Sequence, residues 1–215
     1  MLDDRNLVRH IKRVLVLVDE SNVVGSAKLL NKRIDWPKLR DALVYGNKDQ
    51  KLTKDEGQKL MKDEVRELVE MVVYVGLPPV AETWAEARKK KLGFVHYLRT
   101  QGFLVVTKDG TPRGEDYKAN VDVLMGIDAM ALANRMEPDI VVLVTGDADF
   151  AHLATELRRR GIRVEVAATR AALGAQLQSS ANRVVVLDDL LATFEDLYAE
   201  ESREYFHDDN HRVNY

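Results

Sequence analysis

The sequence predicts a three-layer α/β/α domain with a mostly parallel, Rossmann-like central sheet, and three observations lead there. Short apolar runs rich in valine and isoleucine recur along the chain. Segments with helical spacing of apolar residues lie between them. The runs are apolar almost throughout instead of alternating with polar residues, which marks strands covered on both faces, as helices cover a parallel sheet.

The runs are "RVLVLVD" (13–19), "EMVVYVG" (70–76), "GFLVVTK" (102–108), "DIVVLVT" (139–145), "IRVEVAA" (162–168) and "RVVVLDD" (183–189). The first passes through "ESN" into a predicted helix. Between the second and third, "TWAEARKKKLGFVHYLRTQG" reads as a helix with Trp84, Ala87, Phe94, Val95 and Leu98 inward and Lys89 and Lys90 outward. "YKANVDVLMGIDAMALANRM" reads as another, with Val121, Leu124, Met125 and Ile127 on its apolar faces. On that helix Lys118 and Asp122, four apart, would share a face, while Asp128 would point elsewhere and serve structure. "DFAHLATELRRRG" is a third helix, with arginines suited to its carboxyl end and Gly161 suited to ending it.

One domain over residues 12–198 is expected, with a polar insertion at about 46–64, "GNKDQKLTKDEGQKLMKDE", read as a solvated segment. A polar, acidic tail over 199–215 carries His207 and His211 at a spacing that could bind metal on a helix. Two aspartates lie between them and no third ligand is positioned, so this is not taken as a site.

The chain of 215 residues is 46% hydrophobic and 31% charged, enough to bury a core and stay soluble. Its net charge of −3 gives no global attraction to a polyanion, so nucleic-acid binding would need local basic patches. Cysteine is absent, which excludes disulfides, thiol catalysis and cysteine-ligated zinc. No run approaches membrane-spanning length, and "MLDDRNLVRHIKR" is too charged for a signal peptide, so a cytoplasmic protein without membrane partners is expected. Self-association is left open. Neither GxGxxG nor a Walker loop is present, and no Ser/His/Asp arrangement is evident.

The chemistry concentrates where predicted strands surface. In open parallel sheets, ligands bind beyond the carboxyl ends of the strands. The first strand ends in Asp19, with Ser21 and Asn22 in the following turn. The strand at 139–145 runs into "TGDADF", where only Ala148 separates Asp147 from Asp149. Two carboxylates so close repel each other and lose hydration on burial, and something must offset that cost. Helix capping accounts for Asp19 and Asp149, the latter before a helix beginning near Phe150, but leaves Asp147 unexplained. The loop "TKDGTPRGEDYK" adds Lys108, Arg113 and Lys118, which could approach the same place and hold a nucleic-acid backbone. His152, just after the acidic turn, reads as a partly buried or capping histidine.

The segments "VLVLVDESN", "KANVDVLMGID" and "VTGDADFAHLATELRRRGIRVEVAA" together resemble the NYN domain family of the PIN-like nuclease superfamily, with the nearest likeness to its bacterial LabA-like branch. "DES" departs from the family's usual Asp-Gly/Ala-x-Asn, but the framing Asp19 and Asn22 remain. The resemblance implies that Asp19, Asp122, Asp147 and Asp149 form a catalytic carboxylate cluster holding Mg²⁺ or Mn²⁺. It implies that Asn22 orients Asp19 or contacts substrate, and that Lys118 faces the same pocket. The implied activity is phosphodiester hydrolysis, on RNA ahead of DNA. The residues agree independently, since hard divalent cations prefer oxygen ligands.

Two other readings compete. "DESNV" begins like the metal-binding motif of a von Willebrand A domain, but Val23 stands where that pattern wants serine, and the Lys118–Asp122 pair has no role there. A non-catalytic regulator would keep the fold as an RNA- or protein-binding scaffold. Loss of catalysis often removes acidic ligands, and here four remain.

Overall fold

The computed structural model describes residues 11–46 and 64–198. Almost all of the polar stretch at 46–64, and the tail with His207 and His211, lie outside the described residues. The six apolar runs all form strands of one sheet: β1 (Lys12–Asp19), β2 (Arg66–Leu77), β3 (Leu104–Asp109), β6 (Ile140–Val144), β7 (Arg163–Ala168) and β8 (Arg183–Val186). Their order is β3-β2-β1-β6-β7-β8, and every neighbouring pair runs parallel.

Side-chain alternation divides the core. Val14, Val16 and Val18 face the layer built from α1 (Glu20–Leu29), α2 (Trp36–Tyr45), α3 (Ala85–Thr100) and the short α7 (Asp188–Leu191). Leu15 and Leu17 face the other layer, built from α4 (Val121–Met136), α5 (Ala151–Arg159) and α6 (Ala175–Ser180). Both faces of β1 are therefore dry, which is why it is apolar from Val14 to Val18. Toward the amino-terminal ends of the strands, Arg66 reaches the fully buried Glu165 through two bonds of 2.8 and 3.1 Å and clasps β2 to β7. No helix among the described residues is long and apolar enough to cross a membrane.

One element differs from the sequence expectation. The helix read from Tyr117 starts only at Val121, and residues 111–118 form a small antiparallel hairpin of β4 (Thr111–Arg113) and β5 (Asp116–Lys118). Gly114, at φ +62°, turns the hairpin, and Asn120, at φ +46°, takes a left-handed conformation that helix cannot continue through. Lys118 is thus an exposed strand residue, and no i, i+4 helical pairing with Asp122 exists.

Among the described residues, β1 lies mid-sheet; the chain then builds outward through β2 and β3 and crosses back past β1 to β6. The direction of winding reverses between β1 and β6. Such a reversal leaves a crevice at the carboxyl ends of the two strands, where open α/β sheets bind ligands.

Candidate active site

Asp19 occupies the β1 side of that crevice. Strand alternation sends it to the face of Leu15 and Leu17, toward α4. It is only 7% exposed. It caps α1, with Oδ1 accepting from the Ser21 hydroxyl at 2.8 Å and the Asn22 amide at 3.2 Å. Burial pushes the Asp19 carboxyl above the usual carboxylate range; the Ser21 and Asn22 donors pull it back, and the charge of Asp147 adds to the rise.

The β6 side is a tied-down turn. The amide of Gly146 donates to the Asn22 side-chain oxygen at 3.0 Å, joining the start of α1 to the end of β6. Thr145, fully buried, accepts from the Asp147 amide at 3.2 Å. Behind the turn, the Gly174 amide donates to the Gly146 carbonyl at 2.8 Å. A Cβ on Gly146 would stand 2.2 Å from the Ala172 carbonyl oxygen and 2.5 Å from its carbon. Backbone cannot yield as a flexible side chain does, so Gly146→Ala is expected to cost about 1–3 kcal/mol, the range for forced overpacking. An unchanged denaturant midpoint would contradict so close an approach.

The capping assignment reverses that expected from sequence. Asp147 opens a 3₁₀ turn (Ala148–Phe150), its Oδ1 accepting from the Asp149 amide at 3.0 Å. α5 follows with Phe150 at its N-cap position and no side-chain cap. Asp149, expected to cap, instead projects into solvent, and Asp147 has the capping role.

Asp122 is half-buried in the first turn of α4, which packs on β1 and β2. Arg113 and Lys118 are exposed on the hairpin that leads to it, and Lys108 donates to the Asn120 carbonyl at 3.4 Å. Asp128, two turns along α4, lies near Tyr74, the register partner of Asp19 on β2. That phenol, fully buried, is pushed upward by burial first and then by the charge of the Asp128 carboxylate and its hydrogen bond. His152 is neither buried nor a cap: it is exposed, with Glu156 at 3.9 Å. The "RRRG" arginines serve structure in part, Arg158 donating to the Ser180 carbonyl and Arg159 pairing with Glu156, while Gly161 at φ +80° ends α5 as expected.

The charge of Asp147 reaches Asp19 across the crevice. As the side chains stand, no group of three or more acidic or histidine residues among those described is arranged to hold a metal ion. The donor chemistry fits one nonetheless. A nearly buried carboxylate, raised by desolvation and by a second carboxylate, offers the hard oxygens that Mg²⁺ and Mn²⁺ prefer. Sequence reasoning gave no role to Ser21, Thr145 and Gly174, which hold these aspartates in place. Their signal, small polar or glycine residues flanking strand ends, is too common to single out.

The NYN domain model matches residues 13–188, spanning both sides of the crevice and the hairpin. The chain belongs to the NYN domain family. The parallel sheet and the position of the crevice are consistent with the PIN-like superfamily, and NYN domains are generally nucleases. A protein of unknown function from Vibrio parahaemolyticus shares the fold, with a TM-score of 0.61 at 23% identity, covering 88% of this chain and 98% of its own. Among curated proteins, none matches.

Proposed function

We propose that this NYN protein is a metal-dependent nuclease hydrolysing phosphodiester bonds, on RNA ahead of DNA, at the crevice between β1 and β6. The observation that carries the reading is the buried Asp19, held beside Asp147 at the switch point of the sheet despite the cost. Asp19 and Asp147 would be the inner ligands of Mg²⁺ or Mn²⁺. Asp122 and Asp149, each in the first turn of an element bordering the same strand ends, would complete the set. When bound, such a cation supplies Lewis acidity to a phosphoryl oxygen and lowers the pKa of a water nucleophile.

The chain's own residues do the rest. Asn22 locks the two halves of the site together through Gly146. The exposed Arg113 and Lys118 would hold the phosphates of an incoming strand, with Lys108 tied to the Asn120 carbonyl nearby. The preference for RNA, and the nearer likeness to the LabA-like branch, rest on sequence resemblance.

The scaffold reading draws on one observation, the lack of three converging ligands as the side chains stand. Incubating pure protein with labelled single-stranded RNA in Mn²⁺ or in EDTA separates the two. Cleavage confined to Mn²⁺ is expected; binding without cleavage in either would favour the scaffold. Lys118→Met should weaken binding and lower the log–log salt slope by about 0.7, the share of one single-strand phosphate contact. An unchanged slope would place Lys118 away from the phosphates.

A further inference from the structure

A second feature begins one residue from Asp19. A groove of ≈740 Å³ lies between α1 and α3, floored by Val24, Ala27, Trp36, Phe94 and Pro78, with Tyr97 on its wall. Five cations border it: Lys28, Lys32, Arg33, Lys90 and Lys91. Lys91 is neutralised by Glu20 at 2.7 Å, and Lys32 by Asp196 at 2.7 Å. Among the described residues, Lys28, Arg33 and Lys90 have no acidic partner, and all three are exposed. An apolar, aromatic floor under uncompensated positive charge fits a ligand that is flat and apolar at its bases and anionic along its backbone.

The groove also lies where such a strand would run. Glu20, at one end, follows Asp19 directly in the chain. Tyr117, also lining the groove, belongs to the hairpin of Arg113 and Lys118; its hydroxyl donates to the Gly76 carbonyl at 3.3 Å, and its ring meets Trp84 edge-on at 5.5 Å. The hairpin cations and the groove are therefore joined by one packed unit. Tyr97 is 41% exposed, and no other ring among the described residues pairs with it.

We propose that the α1–α3 groove is a base-seating subsite for single-stranded nucleic acid, with Tyr97 stacking a base and Lys28, Arg33 and Lys90 holding backbone phosphates of the strand at a distance from the scissile bond. Base–aromatic stacking needs an unpaired base, so the groove selects single strands over duplex. The assignment rests on the nuclease reading for the place of the scissile bond, whereas binding in the groove does not require cleavage.

The test uses the full chain and a labelled single-stranded RNA of about ten nucleotides, within the span of typical single-strand sites, carrying 2′-O-methyl groups against cleavage. Binding is measured by anisotropy in EDTA, with a duplex of the same length beside it. Tyr97→Ala should weaken single-strand binding by about tenfold, the scale of one lost stack, and leave duplex binding unchanged. The combined Lys28→Ala, Arg33→Ala and Lys90→Ala variant, altered only at exposed positions, should lower the log–log salt slope by about 2, from about 0.7 per contact. Cleavage of unmodified RNA in Mn²⁺ is followed in parallel. If wild type cleaves but neither variant changes binding, the groove assignment falls and the nuclease reading stands. If wild type does not cleave but both variants weaken binding as stated, the groove stands and the nuclease reading falls. Should Tyr97→Ala instead convert a dimer to a monomer in sedimentation without altering RNA binding, the groove seats a second copy and the proposal is overturned.

Discussion

Asp147→Asn should cut RNA hydrolysis by about a hundredfold or more while the protein stays folded, the scale of losing one preorganised charge-stabilising group. The substitution separates the two jobs of this residue. An asparagine oxygen can still accept the Asp149 amide bond that closes the 3₁₀ turn, but it brings no negative charge to the crevice beside Asp19. Initial rates in Mn²⁺, with circular dichroism as the check on folding, measure the outcome. Full activity in the purified variant would remove Asp147 from the catalytic set.

The second large effect is on stability. A cation that binds only the folded state stabilises it by RT ln(1 + [L]/Kd), about 2.7 kcal/mol at a hundredfold excess over Kd. For a domain of this size that corresponds to roughly 5–10 °C in Tm. Wild type should therefore melt higher in Mn²⁺ than in EDTA at matched ionic strength. The sign in EDTA carries equal information. The charge of Asp147 raises the Asp19 carboxyl and so opposes its ionisation in the folded state. Asp147→Asn relieves that repulsion and keeps the cap, so in EDTA it should melt at least as high as wild type, yet gain much less from Mn²⁺. If these aspartates act only as caps, Mn²⁺ shifts neither protein, and the scaffold reading takes precedence.

How much of this was legible in the sequence follows from the physics of each element. The four inner strands, β1, β2, β6 and β7, were readable because burial on both faces forces near-continuous Val, Ile and Leu; the edge strands β3 and β8 are less buried but keep β-branched runs. Asp19 was readable because an aspartate at the tip of such a run, just before a helix, suits the N-cap position it occupies. The β4–β5 hairpin was not. Strands of three residues show no period, and Lys118 with Asp122 satisfied a helical template that Asn120 in fact interrupts. The exchange of capping roles between Asp147 and Asp149 was hidden for a similar reason. A 3₁₀ turn precedes α5 and moves the cap two residues upstream. Nor could the sequence display the groove, since Trp36 comes from α2 while Phe94 and Tyr97 come from α3, far along the chain. Lys90 belongs to "RKKK", which read as a solvated face, and only the fold, which sets α1 and α3 on either side of the groove, gives that face an apolar floor.

The central claim is that the crevice between β1 and β6 exists to hold a divalent cation. A crystal structure of the wild-type protein soaked in Mn²⁺, with anomalous data collected above the manganese edge, tests it most directly. The account predicts an anomalous peak between the carboxylates of Asp19 and Asp147, with Asp122 or Asp149 completing the ligands. A crevice without that peak at saturating Mn²⁺, with Asp19 still bonded only to Ser21 and Asn22, would contradict it.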